Sequence, residues 1–170
     1  MDVHELLLEL RQERNMPLQL ERISKQPALI ERLMQVVENG EAYPYSEYAS
    51  WLLLTWSKKN KEQTQEFYER LVDVLFVSDN QSVLRNCASI LTRLKHQPYR
   101  EGELLDLLTG FLADLSHNVA LHAMSLHLLV PFVRKYPELK GEIQEILKLH
   151  EHKKPALLSA IRNFEKKTPA

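Results

Sequence analysis

One spacing limits what this chain can fold into more than any other feature. Apolar residues at i, i+4, i+7 and i+8 trace one stripe of a helix, and that stripe occurs four times. It reads Leu29-Leu33-Val36-Val37, Phe67-Leu71-Val74-Leu75, Leu104-Leu108-Phe111-Leu112 and Leu139-Ile143-Ile146-Leu147. The stripes begin 38, 37 and 35 residues apart. A second, independent marker follows each one: a serine inside an apolar helical pattern, at Ser50, Ser89, Ser125 and Ser159. The distances from stripe to serine are 21, 22, 21 and 20 residues. Two markers that keep one spacing four times predict a repeated unit of helix, turn and helix. Units this short cannot bury an apolar face alone and must stack on one another.

Helix boundary signals fall where that unit needs them. Asn39-Gly40 closes the first stripe helix, and Tyr43-Pro44 opens the helix of Ser50. Ser78 with Gln81 reads as a capping box, while Ser116 and Asn118 are candidate caps for the Ser125 helix. Pro137 and Pro155 stand at candidate first helical positions. Residues 1–26 fall outside the register. Val3, Leu6, Leu7 and Leu10 predict an amphipathic helix broken near Met16-Pro17, then a short helical piece to Lys25. Such a segment suits the role of an N-terminal cap over the first repeat. The serines lie beside the apolar stripe of each second helix. There a small residue lets a neighbouring helix approach, and its hydroxyl bonds back to the carbonyl one turn earlier.

Composition narrows the function classes. The net charge of −1 demands neither nucleic acid nor an anionic membrane as partner. The longest apolar run, Leu128–Val133, is far short of a bilayer span. The first residues carry early acids and no small-residue cleavage site, which does not read as a secretory signal. The single cysteine, Cys87, forms no internal disulfide and fits a reducing cytoplasm. No nucleophile elbow, phosphate-binding glycine loop or paired-histidine zinc motif is present, so the sequence predicts no enzyme, cofactor or metal.

The period and hydrophobic pattern resemble HEAT-type repeats over about residues 27–167. The closest local match is SDNQSVLRNCA, with Asp79, Val83, Arg85 and Ala88 near the positions where HEAT units favour those residue types. The resemblance implies an all-α fold: a right-handed α-α superhelix of about four helix pairs. The chain is then a single domain over 1–170, with a cap at 1–26, repeats at 27–167 and a tail at 168–170. It also implies a scaffold that binds a protein or peptide on the concave, second-helix face. A nucleic-acid-binding solenoid, similar to the HEAT-like DNA alkylation repair proteins, is the alternative.

Aligning the second helices on their serines singles out further residues. His127 occupies the position of Leu52, Leu91 and Ile161, which predicts a buried neutral imidazole bonded to a carbonyl. Trp56 falls where other units have Lys95, Pro131 and Glu165, so it either packs on the N-terminal cap or anchors a partner. His117, His122 and His127 are spaced by five and cannot share a helix face. His150 and His152 read as a surface pair, and Cys87 as a small core hydrophobe. Carboxylates concentrate on the stripe helices, whereas none occurs between Asn80 and Arg100 or between Leu115 and Pro137. Cations at second-helix ends account for most of this asymmetry through the helix dipole. The candidate partner-binding set is Trp56, Arg85, Arg93, His96, His122 and Arg162.

Overall fold

The computed structural model describes residues 1–169, which hold eleven helices and no strand. They group into two compact units, residues 1–90 and the chain from residue 91 onward. The first unit contains α1 (Val3–Glu13), α2 (Met16–Lys25), α3 (Ala28–Glu38), α4 (Tyr45–Ser57), α5 (Lys61–Gln65) and α6 (Tyr68–Val77). It also takes α7 (Gln81–Thr92) as far as Ile90. The second unit contains α8 (Glu101–Ala113), α9 (Val119–Lys135), α10 (Leu139–Leu147) and α11 (Pro155–Lys167).

The N-terminal segment folds as its pattern requires. α1 buries Val3, Leu6, Leu7 and Leu10. It ends where Arg14 turns left-handed at φ 50°, and the Asn15 side chain then accepts from Leu18 N at 3.1 Å to cap α2. Both helices lie on α3 and α4. α3 stops at Asn39, and Gly40 follows at φ 59°, a conformation glycine adopts without steric cost. α3 packs on α4 and α6, and Leu33, Val36, Leu52, Leu53, Leu71 and Val74 of these helices are buried. At the rim of that contact Arg70 forks two carboxylates of α3, with Nη1 and Nη2 each 2.8 Å from Glu31. Its Nη2 also reaches Glu38 at 2.5 Å.

In the second unit α9 lies between α8 and α11, and α10 packs on α8 and α9. Its core is built from Leu104, Leu108, Leu112, Leu121, Leu126, Leu129, Phe132, Ile143, Leu157 and Phe164. Gln144 and Lys140 of α10 both reach Glu165 of α11, at 3.1 Å each.

Four boundary details differ from the sequence reading. Ser78 is the extended C-cap that follows α6, and it is Asn80 that caps α7, accepting from Val83 N at 3.1 Å. Ser116 donates from its backbone and its hydroxyl to Asp114, leaving Asn118 to cap α9 by accepting from Leu121 N at 2.9 Å. Pro137 stands outside α10, whereas Pro155 does open α11. The first position of the second stripe shifts as well. α5 ends before Phe67, so Phe67 becomes the half-buried residue before α6 and Tyr68 takes the buried place.

The repeated serines do different jobs. Ser50 is fully buried, donates to the Glu47 carbonyl at 2.9 Å and accepts from Asn86 Nδ2 of α7 at 2.9 Å. It therefore makes the local bond expected of it and an interhelix bond besides. Ser125 is equally buried, yet its hydroxyl has no partner. Ser159 is exposed. In α4 the serine side meets α7, and among the described residues no helix follows α11 to meet Ser159.

Candidate partner-binding surface

The side chains of α4 are the hardest to assign to the core from sequence. Its run WLLLTW is apolar in almost every direction, so helical period cannot say which residues point inward. Leu52 and Leu53 are buried, while Trp51 is 37% exposed. Trp51 belongs to an aromatic line: its ring lies edge-on to Tyr48 at 5.9 Å, and Tyr48 lies edge-on to Tyr43 at 6.4 Å. Tyr43 is 61% exposed and carries the Arg11 guanidinium over its ring at 5.0 Å. Edge-to-face pairs and a stacked guanidinium fix these rings against one another.

Beside this line is a cleft of about 280 Å³. α4 contributes Glu47, Tyr48 and Trp51; α7 contributes Ser82, Arg85 and Asn86; the turn between α1 and α2 contributes Arg14. Arg11, Arg14 and Arg85 are all exposed. None of the three is paired with a carboxylate among the described residues. Glu47 is the one acid in the cleft wall. Its Oε1 accepts from Asn80 Nδ2 at 2.5 Å, and its Oε2 is buried without a partner.

Trp56 sits elsewhere. It is half-buried and lines a separate cleft of about 490 Å³ with Leu20, Ile23, Pro27 and Ile30, on the α2 side of the unit. Of the six residues singled out by sequence, only Arg85 lines the cleft beside the aromatic line. Arg93, just beyond α7, is exposed, as is Arg162 of α11. His96 is exposed, with its ring edge-on to Phe132 at 5.0 Å; partial burial against that ring lowers its pKa. His122 is only 5% exposed, and its Nε2 donates to the Asp114 carbonyl at 2.8 Å. Burial lowers its pKa, with His150 and His117 adding repulsion.

Those three histidines form a cluster that spacing did not reveal. His150 comes from the end of α10 to place its ring 4.7 Å from that of His122, and its Nε2 donates to the Leu112 carbonyl at 2.7 Å. The His117 ring lies 6.5 Å from His122 on the other side. His150 is thus buried rather than half of a surface pair with His152. The two central rings close carbonyls at the end of α8, where the helix leaves acceptors unpaired. Among the described residues no three His, Cys, Asp or Glu side chains are placed to hold a metal ion. His127 also departs from its expected form. It is half-buried, and its Nδ1 accepts from the Asn163 side-chain amide of α11 at 2.9 Å. An amide donor on Nδ1 requires the neutral ring, and burial lowers its pKa. Cys87 is buried as expected, with its thiol pKa pushed up to about 12 by burial.

The helix order, the stacking of α3 on α6 and of α9 on α11, and the repeated spacing all fit one family. The sequence profile of the HEAT repeat domain matches residues 4–168. The chain belongs to the HEAT repeat family. The matched range takes in α1 and α2, so the HEAT domain reaches beyond the four units visible in the spacing. No curated protein and no solved structure matches the chain. Among the described residues of this HEAT-repeat protein, no helix is long and apolar enough to cross a membrane.

Proposed function

We propose that this HEAT-repeat chain is a non-enzymatic scaffold of the reducing cytoplasm that binds a protein or peptide partner on its second helices. The aromatic line of α4 would be the anchor, and α1 with α2 the cap that shields α3 and α4. One observation carries the reading: Trp51 and Tyr43 are solvent-exposed and ordered by ring contacts, beside three arginines that lack carboxylate partners. Exposed Trp, Tyr and Arg grouped on a rigid surface have the composition of interface hot spots. On the second unit Arg93 and Arg162 are exposed and stand as separate candidates, whereas the burial of His122 removes it from direct contact.

The test is capture of partners from lysate by the full chain and by a Trp51→Ala/Tyr48→Ala variant. Loss of the captured proteins with an unchanged melting temperature supports the anchor. Equal capture by both proteins sinks it. A nucleic-acid partner is the second reading, favoured by the combination of exposed aromatic rings with Arg11, Arg14 and Arg85. It requires binding to short single- or double-stranded DNA that weakens steeply with salt as counterions are released.

A further inference from the structure

We infer that the cleft between α4 and α7 of the first unit takes an acidic peptide segment, with a side-chain carboxylate set between Arg14 and Arg85 and an adjacent apolar ring laid on Trp51. The inference rests on the partner-binding reading above and names the chemistry of the partner.

The charge in the cleft points to a single carboxylate. Two guanidiniums and one carboxylate, Glu47, line it, which leaves one net positive charge. Glu47 is fixed there by its bond from Asn80. A monoanion matches that balance; a doubly charged phosphate would meet the Glu47 carboxylate with no second net charge to offset it. Guanidinium forks also suit the planar, bidentate carboxylate.

The backbone that carries both arginines is held before any ligand arrives. Arg14 sits in the left-handed turn that ends α1, and Asn15 caps the next helix immediately after it. Arg85 precedes Asn86, whose amide bonds Ser50 and ties α7 to α4. Little ordering of the backbone is then required on binding. Size argues against a nucleic-acid strand. About 280 Å³ is the space for one or two side chains, below the range of about 300–1,000 Å³ usual for small-molecule pockets. A tracked phosphodiester needs a run of cations instead.

Selection of a random displayed peptide library on the full immobilised chain tests this directly. The enriched peptides should carry Asp or Glu next to an aromatic or large aliphatic residue. A fluorescein-labelled peptide of the enriched sequence should bind Arg14→Ala/Arg85→Ala at least about 100-fold more weakly, since each of the two lost charge-assisted contacts is worth about 10–100-fold. Arg14→Lys/Arg85→Lys, which keeps the charge but loses the fork, should fall between, and Lys61→Ala should match the parent protein. Enrichment of basic, uncharged or phosphorylated sequences would overturn the inference, as would displacement of the peptide by a dT oligonucleotide at equal concentration. So would enriched peptides whose binding ignores the Arg14/Arg85 substitutions, although the scaffold reading would survive that result. Failure to enrich any peptide, together with unchanged capture by Trp51→Ala/Tyr48→Ala, would remove both.

Discussion

Ser50 and Ser125 occupy the same place in two repeats, and their hydroxyls predict opposite responses to the same substitution. Ser50→Ala removes an oxygen that accepts from Asn86 Nδ2 at 2.9 Å, at a site where Ser50 is fully buried and Asn86 nearly so. The amide N–H is then stranded, at a cost of about 1–3 kcal/mol. The lost bond to the Glu47 carbonyl adds little, because the carbonyl keeps its place in the helix ladder. In a chain of this size about 2 kcal/mol lowers the melting temperature by about 4–8 °C. Ser125→Ala instead removes a buried hydroxyl with no partner and leaves a methyl in an apolar setting. Its expected effect runs from no change to a stabilisation of about 1 kcal/mol. Thermal and urea unfolding of the two variants, read by circular dichroism, gives the comparison. Equal destabilisation by both, or a neutral Ser50→Ala, would refute the argument that the hydroxyl partners set the cost.

Acid should weaken the fold once the pH falls below about 6.5. His96, His122 and His127 all have pKa values below the ordinary imidazole range, chiefly through burial. The unfolded chain then binds protons first, so their contribution is intact above about pH 6.5 and is lost as pH falls below it. The melting temperature should decline between about pH 7 and pH 5, and His122→Gln should flatten that decline; a flat parent curve contradicts the assignment. Cys87, buried and with its thiol pKa near 12, should resist iodoacetamide at pH 8 in the native protein and react once urea unfolds it. Rapid native alkylation would show that the α7 core opens.

Most of the fold was legible in the residues because helical period and chain breaks are local signals. The stop at Asn39-Gly40, the break near Met16-Pro17 and the start at Pro155 all fall where the sequence places them. Caps were harder where two candidates lay close together. Ser78 and Asn80 both have the chemistry, and only the path of the chain out of α6 decides between them. The candidate surface was mostly illegible. α4 is apolar all round, so period could not separate exposed Trp51 from half-buried Trp56. Arg14 and Arg85 are 71 residues apart in sequence and share a cleft only through tertiary packing. The same holds for His122 and His150, whose contact joins α9 to the end of α10.

Where a partner covers this molecule is the decisive observation. Hydroxyl-radical footprinting of the full chain, free and with a captured partner, reads that surface residue by residue. Protection of Tyr43, Tyr48 and Trp51, with the α4 and α7 peptides that carry them and Arg85, is the predicted result. Protection confined to the α3 and α6 peptides, with Trp51 as reactive as in the free protein, would contradict it.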